Sequence, residues 1–193
     1  MRLSARVDYA LRAVAELAAA AGVNRAGGAE QAATEGGPAA DDRPAGTHRP
    51  AGTDPSPGTG RSKGTDRPVT AERLAQAQQI PPKFLESILL QLRRGGVVTA
   101  QRGPEGGYRL ARPADEISLA EIIRVIDGPL ANVRGQRPEQ VGYSGAAEAL
   151  QDVWIALRAS ERQILELVTI ADVACGDLPE RVRELVADPR AWV

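Results

Sequence analysis

A glycine-rich segment between two short apolar runs holds the residues whose types and spacing bear most directly on chemistry. Residues 101–107 have the sequence QRGPEGG. The glycines Gly103, Gly106 and Gly107 allow positive φ angles and a close approach of the backbone to a phosphate group or a DNA groove. Arg102 adds a positive charge in the same turn. This combination suits contact with a polyanion.

The charge of the chain is distributed unevenly. The formal net charge is -1, yet residues 69–112 carry seven basic and three acidic side chains, whereas residues 113–193 carry eight basic and fourteen acidic ones. A local positive patch attracts polyanions, and an acidic segment is repelled by phosphates. The middle segment is therefore predicted to face a nucleic acid, and the last third to face away from it.

Other residue types argue against catalysis, metal binding and membrane contact. No histidine, acid pair or activated nucleophile lies at a usable spacing in the segments predicted to be ordered, so an enzyme is not expected. The one histidine, His48, is isolated, which argues against a histidine-based metal site. The one cysteine, Cys175, excludes an internal disulfide. No apolar run reaches the roughly 18 residues that span a bilayer, and no signal peptide is evident, so a cytoplasmic location is expected.

The first 68 residues combine one predicted helix with a segment unsuited to a core. Apolar residues recur at three- and four-residue steps from about Ser4, the predicted N-cap, to Ala21, within a first segment of residues 1–23. Residues 24–68 are dominated by Gly, Pro, Ala, Thr, Asp and Arg, which predicts a disordered insertion. An inert insertion and a flexible arm that reaches for DNA or a partner both fit this composition.

Two short helices are predicted next, separated by a tight turn. Thr70 caps the first, and the second begins at the Pro81-Pro82 pair, where a missing amide donor costs nothing. The second helix has an apolar stripe in which the Phe84 ring is assigned to the core. Such a pair, with polar side chains near the start of the second helix, describes a helix-turn-helix.

Strand patterns on both sides of the glycine-rich turn add a β-hairpin over residues 97–110. A glycine-rich hairpin alone could be only a hairpin, but the helix pair and the local basic charge favour a DNA-binding wing. The predicted fold is mainly α. It is a winged helix-turn-helix domain in which residues 69–130 form the helix-turn-helix, the two-stranded wing and a following helix.

An apolar stripe in the last third predicts a long dimerisation helix over residues 145–175, after a loop at 131–144 and before a tail at 176–193. A helix of that length needs a partner, although packing within the same chain is the alternative. The residues assigned to the dimer interface are Leu150, Val153, Trp154, Leu157, Ile164 and Val168.

These segments resemble the IscR- and NsrR-type winged-helix regulators of the Rrf2 family. The most specific match is RGPEGGYRL at residues 102–110. The resemblance implies a homodimer that binds double-stranded DNA, with the third helix in the major groove and the wing and N-terminal residues on the backbone and minor groove. The other matching segments are residues 1–4, 8–11, 80–94, 117–123 and 126–130.

Carried over by position, the resemblance implies roles for individual residues. Lys83, Glu86 and Ser87 would face base edges, since lysine can donate to guanine, a carboxylate can accept from cytosine, and a hydroxyl can do either. Relatives often have Gln at position 87 and Gly at position 105, so the sequence preference and wing affinity are expected to differ from theirs. The DNA-binding set implied is Arg2, Ser4, Tyr9, Lys83, Glu86, Ser87, Arg93, Arg94, Arg102, Gly103, Gly106, Gly107 and Tyr108.

Well-known members of the family hold an iron–sulphur cluster with three cysteines in the loop after the wing domain. The corresponding stretch, residues 127–144, contains no cysteine, so a cluster-free variant without a cofactor is expected. Cys175 could be a redox thiol, with buried filler as the alternative.

Two classes of function follow from these observations. The first is a sequence-specific transcription regulator, with repression the preferred sign, acting as a homodimer on a palindromic operator. The second is a winged-helix module for protein–protein contact that does not bind DNA. The basic charge of the middle segment favours the first, because an interaction-only wing has no need of it.

Overall fold

A computed structural model describes residues 3–23 and 67–192 of the chain. The predicted insertion at 24–68 lies outside the described residues except for Arg67 and Pro68, and so do His48 and Arg2. In the described ranges, seven α-helices and one β-hairpin follow one another. Their bounds are α1 Ala5–Ala20, α2 Ala71–Gln78, α3 Pro82–Arg94, β1 Val98–Gln101, β2 Gly107–Leu110, α4 Leu119–Asp127, α5 Leu150–Leu165, α6 Ile170–Cys175 and α7 Glu180–Ala187.

Local capping chemistry sets the ends of the first three helices and confirms the predicted helix-turn-helix. The Ser4 hydroxyl accepts a backbone amide of the first turn of α1 at 3.2 Å, and the Thr70 hydroxyl does the same for α2 at 3.3 Å. Gln79 adopts the left-handed conformation with φ 52° and ends α2 in a tight turn. Pro82 then occupies the first position of α3, where its missing amide has no helical partner to lose.

The predicted wing is an antiparallel hairpin in which Val98 pairs with Leu110 and Gln101 pairs with Gly107. A β-bridge joins it to the residue before α2, because Val69 and Tyr108 exchange two backbone hydrogen bonds of 2.8 Å. This bridge was not predicted, since a single residue shows no strand periodicity. It ties the wing to the helix-turn-helix.

The core lies between α1 and the helices around it, with α1 packing against α2, α3, α4 and α6. In the described part of the chain every fully buried position is apolar. Burial of each leucine, isoleucine or valine contributes roughly 1.5–3 kcal/mol. The largest of these side chains are Leu74, Leu85, Ile88, Leu89, Leu92, Ile117, Ile122 and Ile170.

The prediction of one long helix over residues 145–175 is wrong, because the chain leaves the helix after α5 and starts again at α6. Thr169 and Asp172 form a capping box: the Thr169 hydroxyl accepts the Asp172 amide at 3.2 Å, and the Asp172 carboxylate accepts the Thr169 amide at 2.7 Å. At the break, the Val168 carbonyl accepts the Leu119 amide at 3.0 Å. The backbone there bonds to the segment that leads into α4.

The remaining segments follow the predictions more closely. The helix α7 falls in the predicted tail, and the Trp192 indole donates to the Val186 carbonyl at 2.9 Å while staying 76% exposed. The loop between α4 and α5 contains a short 3-10 turn at Pro138–Gln140. Within the described ranges, every helix is too short or too polar to traverse a bilayer.

Candidate nucleic-acid interface

The helix α3 divides cleanly into a buried face and an exposed face. Leucine and isoleucine fill its buried face at three- and four-residue steps. The opposite face is left in solvent and is predominantly polar and cationic. Its exposed residues are Pro82, Lys83, Phe84, Glu86, Ser87, Leu90, Arg93 and Arg94.

The three side chains predicted to face base edges all lie on this exposed surface. Lys83 and Glu86 make no ion pair or side-chain hydrogen bond with any residue that the structure describes. The Ser87 hydroxyl donates to the Phe84 carbonyl at 2.8 Å. Its proton is therefore engaged within the helix, and its oxygen remains available as an acceptor.

The assignment of Phe84 to the core is wrong, since its ring is 56% exposed. The buried face is already filled by Leu85, Ile88, Leu89 and Leu92, and position 84 falls at its margin. An exposed aromatic ring therefore borders the polar face of α3. A ring in this position can contact the methyl group of thymine in a major groove.

The wing turn places Arg102 in solvent at its tip. Gly103 and Gly107 have positive φ angles of 113° and 154°, a conformation that glycine allows. Gly106 does not use this freedom, but its position still excludes a side chain: a Cβ there would lie 2.5 Å from the Gln101 carbonyl oxygen. A Cβ on Gly107 would lie 2.6 Å from the Val69 carbonyl oxygen. Tight backbone packing therefore shapes the turn.

Other residues that were predicted to contact DNA also make contacts within the protein. Tyr108 is half-buried and packs against the core, so only part of its ring is accessible. Tyr9 is also half-buried, and the Arg12 guanidinium lies 5.6 Å from the centre of its ring. Ser4 uses its hydroxyl oxygen to cap α1.

The cationic residues of the interface differ in whether their side chains already have hydrogen-bond partners within the protein. Arg93 and Arg94 are exposed in the last turn of α3, where the helix dipole favours positive charge. Arg112 instead donates to the Glu121 carboxylate, and this hydrogen bond raises the pKa of the guanidinium above its ordinary value. Arg109 donates from Nε to the Thr99 hydroxyl at 3.3 Å along the wing. The charge of Arg112 is thus partly neutralised by its partner.

Polar contacts that sequence reasoning missed hold the helix-turn-helix against α1. The Arg6 guanidinium donates to the Gln91 amide oxygen at 2.7 Å, which links α1 to α3. The Gln78 amide donates to the Glu16 carboxylate at 2.8 Å, which links α1 to α2. The partners are more than sixty residues apart, so no local pattern predicts them. They act as positioning residues for the exposed face of α3.

The surface of α5 bears most of the residues predicted to contact a second copy. Leu150, Val153 and Leu157 are 40%, 53% and 44% exposed, and they follow one another at three- and four-residue steps. Trp154 is half-buried, and its indole N–H donates to the Tyr143 hydroxyl at 3.0 Å. Ile164 is also half-buried.

The assignment of Val168 to the dimer interface is wrong, because Val168 is only 3% exposed at the break between α5 and α6, where its own chain buries it.

Cys175 is half-buried at the end of α6, with Sγ 3.7 Å from the Val23 carbonyl oxygen. Its role as a redox thiol stays a prediction.

A short polar helix pair, a glycine-lined wing and a basic exposed face together define a winged helix-turn-helix regulator that binds DNA. A family model described as "Rrf2: Iron-dependent Transcriptional regulator" matches residues 61–176. The chain belongs to the Rrf2 family, which confirms the resemblance and the fold class predicted from the sequence.

Individual relatives support the same assignment. Over 118 residues the chain is 57% identical to a protein of Mycobacterium tuberculosis assigned as an HTH-type transcriptional regulator, an alignment that covers 61% of this chain and 73% of the relative. It is 32% identical over 101 residues to the HTH-type transcriptional regulator CymR of Bacillus subtilis, covering 52% of this chain and 68% of that protein. The relatives named here are transcription regulators.

Solved structures show the same fold. The structure of CymR, the global cysteine regulator of B. subtilis, superposes with a TM-score of 0.58 at 23% identity and covers 90% of this chain and 96% of that one. IscR of T. potens superposes with a TM-score of 0.54 at 21% identity and covers 90% of this chain and 85% of that one.

The iron dependence in the family description can be tested against the residues of this chain. The whole sequence contains one cysteine, Cys175, and residues 127–144 contain none. Three thiolates from one chain are therefore not available to hold a cluster. In the part of the chain that the structure describes, no three His, Cys, Asp or Glu side chains come together as metal ligands. The residues do not fit the cysteine-ligated cluster known in the family.

Proposed function

We propose that the protein acts as a homodimeric repressor that binds a palindromic operator through α3 and the wing. The single observation that carries the proposal is the exposed face of α3, where Lys83 and Glu86 are unpaired within the described ranges and Arg93 and Arg94 follow at the end of the helix. Unpaired donors and acceptors on a helix that fits the major groove can read base edges. Repression is the proposed sign, because a dimer seated on its operator excludes other proteins from that DNA.

The roles of the two contact elements differ. Lys83, Glu86 and the acceptor oxygen of Ser87 supply direct base contacts, and the ring of Phe84 supplies an apolar contact to thymine methyl groups. Arg102 at the wing tip meets the phosphate backbone, which contributes affinity without sequence information. Specificity is therefore expected to depend on α3, and general affinity on the wing.

The apolar surface of α5 supports the dimer. Leu150, Val153 and Leu157 are all at least 40% exposed on one helix, and such neighbouring apolar side chains mark interaction sites. A twofold axis would bring the same surface of each copy together. Two copies of α3 would then read half-sites about 10 base pairs apart.

Signal sensing is proposed to proceed without a cysteine-ligated cluster. The support is the residue content of the loop at 127–144, which has no cysteine. We therefore assign no cofactor to the protein. The signal is expected to act on the geometry between α5 and the DNA-binding domain.

Selection of bound fragments from random duplex DNA tests the proposal. The parent protein is expected to enrich one palindromic motif, and Lys83→Ala is expected to enrich a motif changed at one base pair of each half-site. Arg190→Ala is the matched control, since Arg190 is an exposed arginine near the C-terminus, outside α3 and the wing, and its motif should equal that of the parent. Enrichment of no motif by the parent would favour the alternative of a protein-interaction module.

A further inference from the structure

A cavity of about 490 Å³ lies between the C-terminal end of α4, the loop that follows it and α5. Its charged lining is formed by four arginines and one carboxylate, and Pro129 and Leu130 add apolar walls. The volume lies within the range of small-molecule sites, roughly 300–1,000 Å³. The charged residues are Arg124, Arg137, Arg158, Arg162 and Glu166.

The concentration of arginine in this cavity is unusual for its part of the chain. Residues 113–193 carry fourteen acidic and only eight basic side chains, all eight of them arginine. Four of those eight arginines line this one cavity. An acidic segment that gathers half of its positive charges around one concave site builds a local positive potential there.

The carboxylates at the site do not balance these charges. Glu166 accepts from Arg162 at 2.9 Å and also from Arg124, and these hydrogen bonds keep the pKa of Glu166 below its usual value. Glu139 accepts from Arg158 at 2.5 Å. The Arg137 side chain makes no hydrogen bond and no ion pair within 4 Å among the described residues, although its charge helps to lower the pKa of Glu139 at longer range. Only two carboxylates, Glu166 and Glu139, therefore accept hydrogen bonds from the four guanidinium groups.

The hydrogen-bond donors of the cluster are also in excess. A guanidinium carries five N–H donors in a planar fork. The Nε atom of Arg158 is buried and has no acceptor among the described residues, and the Oε2 atom of Glu161 on the same helix is buried and has no donor there. Forked arginine donors match the oxygens of carboxylate, phosphate and sulfate groups in pairs. An anion is the ligand that would satisfy both the charge and the donors.

We propose that this cavity binds a small organic anion, whose phosphate, sulfate or carboxylate group is held by the arginines and whose body lies on Pro129 and Leu130. The inference deepens the proposed function and rests on it in one respect, since it makes this anion the effector of the regulator. The site lies apart from the exposed face of α3 and from the wing.

The location of the cavity gives such a ligand a route to DNA affinity. Arg124 lies on α4, which packs against α1 and α3, whereas Arg158 and Arg162 lie on α5 with the proposed dimer surface. The ion pair between Arg124 and Glu166 joins α4 to the C-terminal end of α5, and Arg162 on α5 also donates to Glu166. A bound anion would add a second bridge at the same joint and change the angle between the DNA-binding domain and the dimer helix.

Dimerisation through the proposed surface leaves the cavity open. At 3.6 residues per turn, Leu150, Val153 and Leu157 lie about 120–180° around the axis of α5 from Arg162. The ligand can therefore reach the arginines when the two copies are paired.

The test follows the arginine Nε–H signals of the full chain by NMR during titration with inorganic pyrophosphate and, separately, citrate, with ionic strength held constant by chloride. At least one probe is expected to shift the signals of Arg124, Arg137, Arg158 and Arg162 saturably, with a Kd below about 1 mM. Arg137→Gln is expected to lower the affinity for that probe about tenfold, because one charge-assisted contact is lost. Arg181→Gln on α7 is the matched control and should bind like the parent.

Arg137→Gln removes no side-chain hydrogen bond or ion pair among the described residues, so the variant is expected to fold like the parent, which its thermal transition checks. Absence of saturable shifts with both probes, or equal affinities for Arg137→Gln and Arg181→Gln, would overturn the inference. DNA binding of the same samples, measured without either probe, reports on the proposed function separately. Normal DNA binding with no anion binding would remove only the effector site.

Discussion

Phe84 and Leu85 are neighbours in sequence that lie in opposite environments. The Phe84 ring is 56% exposed, whereas Leu85 is fully buried beneath α3. Truncation of a buried leucine leaves a cavity and costs about 2–5 kcal/mol, while truncation of an exposed ring leaves the core intact. The two residues therefore separate what α3 contributes to folding from what it contributes to DNA binding.

We predict that Phe84→Ala changes the free energy of unfolding by less than about 1 kcal/mol and weakens binding to the selected duplex about tenfold, because the ring loses its contact with thymine methyl groups. Leu85→Ala is the matched control and should lose about 2–5 kcal/mol of stability. Chemical denaturation and fluorescence anisotropy measure the two effects. A Phe84→Ala variant that binds DNA like the parent contradicts the assignment of the ring to the interface.

Arg102, at the tip of the wing, leads to a second prediction at the scale of single residues. Arg102→Ala should weaken binding to all duplexes alike and reduce the slope of log K against log salt concentration by about 0.9, the loss of one phosphate contact. Arg190→Ala should leave the slope unchanged. Anisotropy titrations at several salt concentrations give both slopes, and identical values for Arg102→Ala and the parent would refute a phosphate contact at the wing tip.

Residue-scale prediction succeeds where a local period decides the environment. The placement of Lys83, Glu86 and Ser87 in solvent follows from the helix that begins at Pro82, and the structure has them there. Phe84 was misassigned because hydrophobicity alone does not show that the buried face of α3 is already full.

At the scale of elements, the wing depends on backbone contacts that a side chain would break. A Cβ on Gly107 would lie 2.6 Å from the Val69 carbonyl oxygen, and the φ angle of 154° is itself unfavourable for other residues. Gly107→Ala is therefore expected to lose about 1–3 kcal/mol of stability and to open the Val69–Tyr108 bridge.

Hydrogen exchange at the Val69 and Tyr108 amides, together with denaturation, measures this prediction. Gly142→Ala is the matched control, since a Cβ on Gly142 would have no atom within 4 Å. Unchanged protection of both amides in Gly107→Ala would show that the bridge does not depend on this glycine.

Elements could be predicted from the sequence where caps and periods agree, as for α1, α2, α3 and the hairpin. The break between α5 and α6 was missed although Thr169 and Asp172 have the spacing of a capping box. Apolar residues continue across the break, where Val168 and Ile170 are both buried in the core, and this continuity of apolar residues hid the cap. Hydrogen bonds to the segment before α4 stabilise the break between α5 and α6, and these bonds depend on tertiary structure.

At the scale of the whole molecule, the two faces of α5 are proposed to have different functions. One face forms the dimer interface, and the other lines the arginine cavity. Leu157→Asp is predicted to convert the dimer to a monomer and to lower the affinity for a palindromic duplex, because a charge enters the apolar surface. Ile155→Asp is the matched control, because Ile155 is 42% exposed and lies about 160° around the axis of α5 from Leu157. Sedimentation velocity measures the change, and a dimer that survives Leu157→Asp but not Ile155→Asp would move the interface to the other face.

Long-range arrangements are the part of the molecule that sequence reasoning could not supply. The link between Arg6 and Gln91 and the arginine cavity between α4 and α5 unite residues from distant positions, and no period or motif connects them. The family motif predicted the domain that binds DNA, because its residues are contiguous at 102–110.

The central claim is that two copies of the chain bind one palindromic duplex through an electrostatic and base-reading contact. Sedimentation velocity with a labelled duplex obtained by selection, repeated at increasing salt, tests this most directly. The account predicts two chains per duplex and an affinity that falls steeply as salt rises. A protein that stays monomeric and shows no salt-sensitive affinity for any duplex would contradict it.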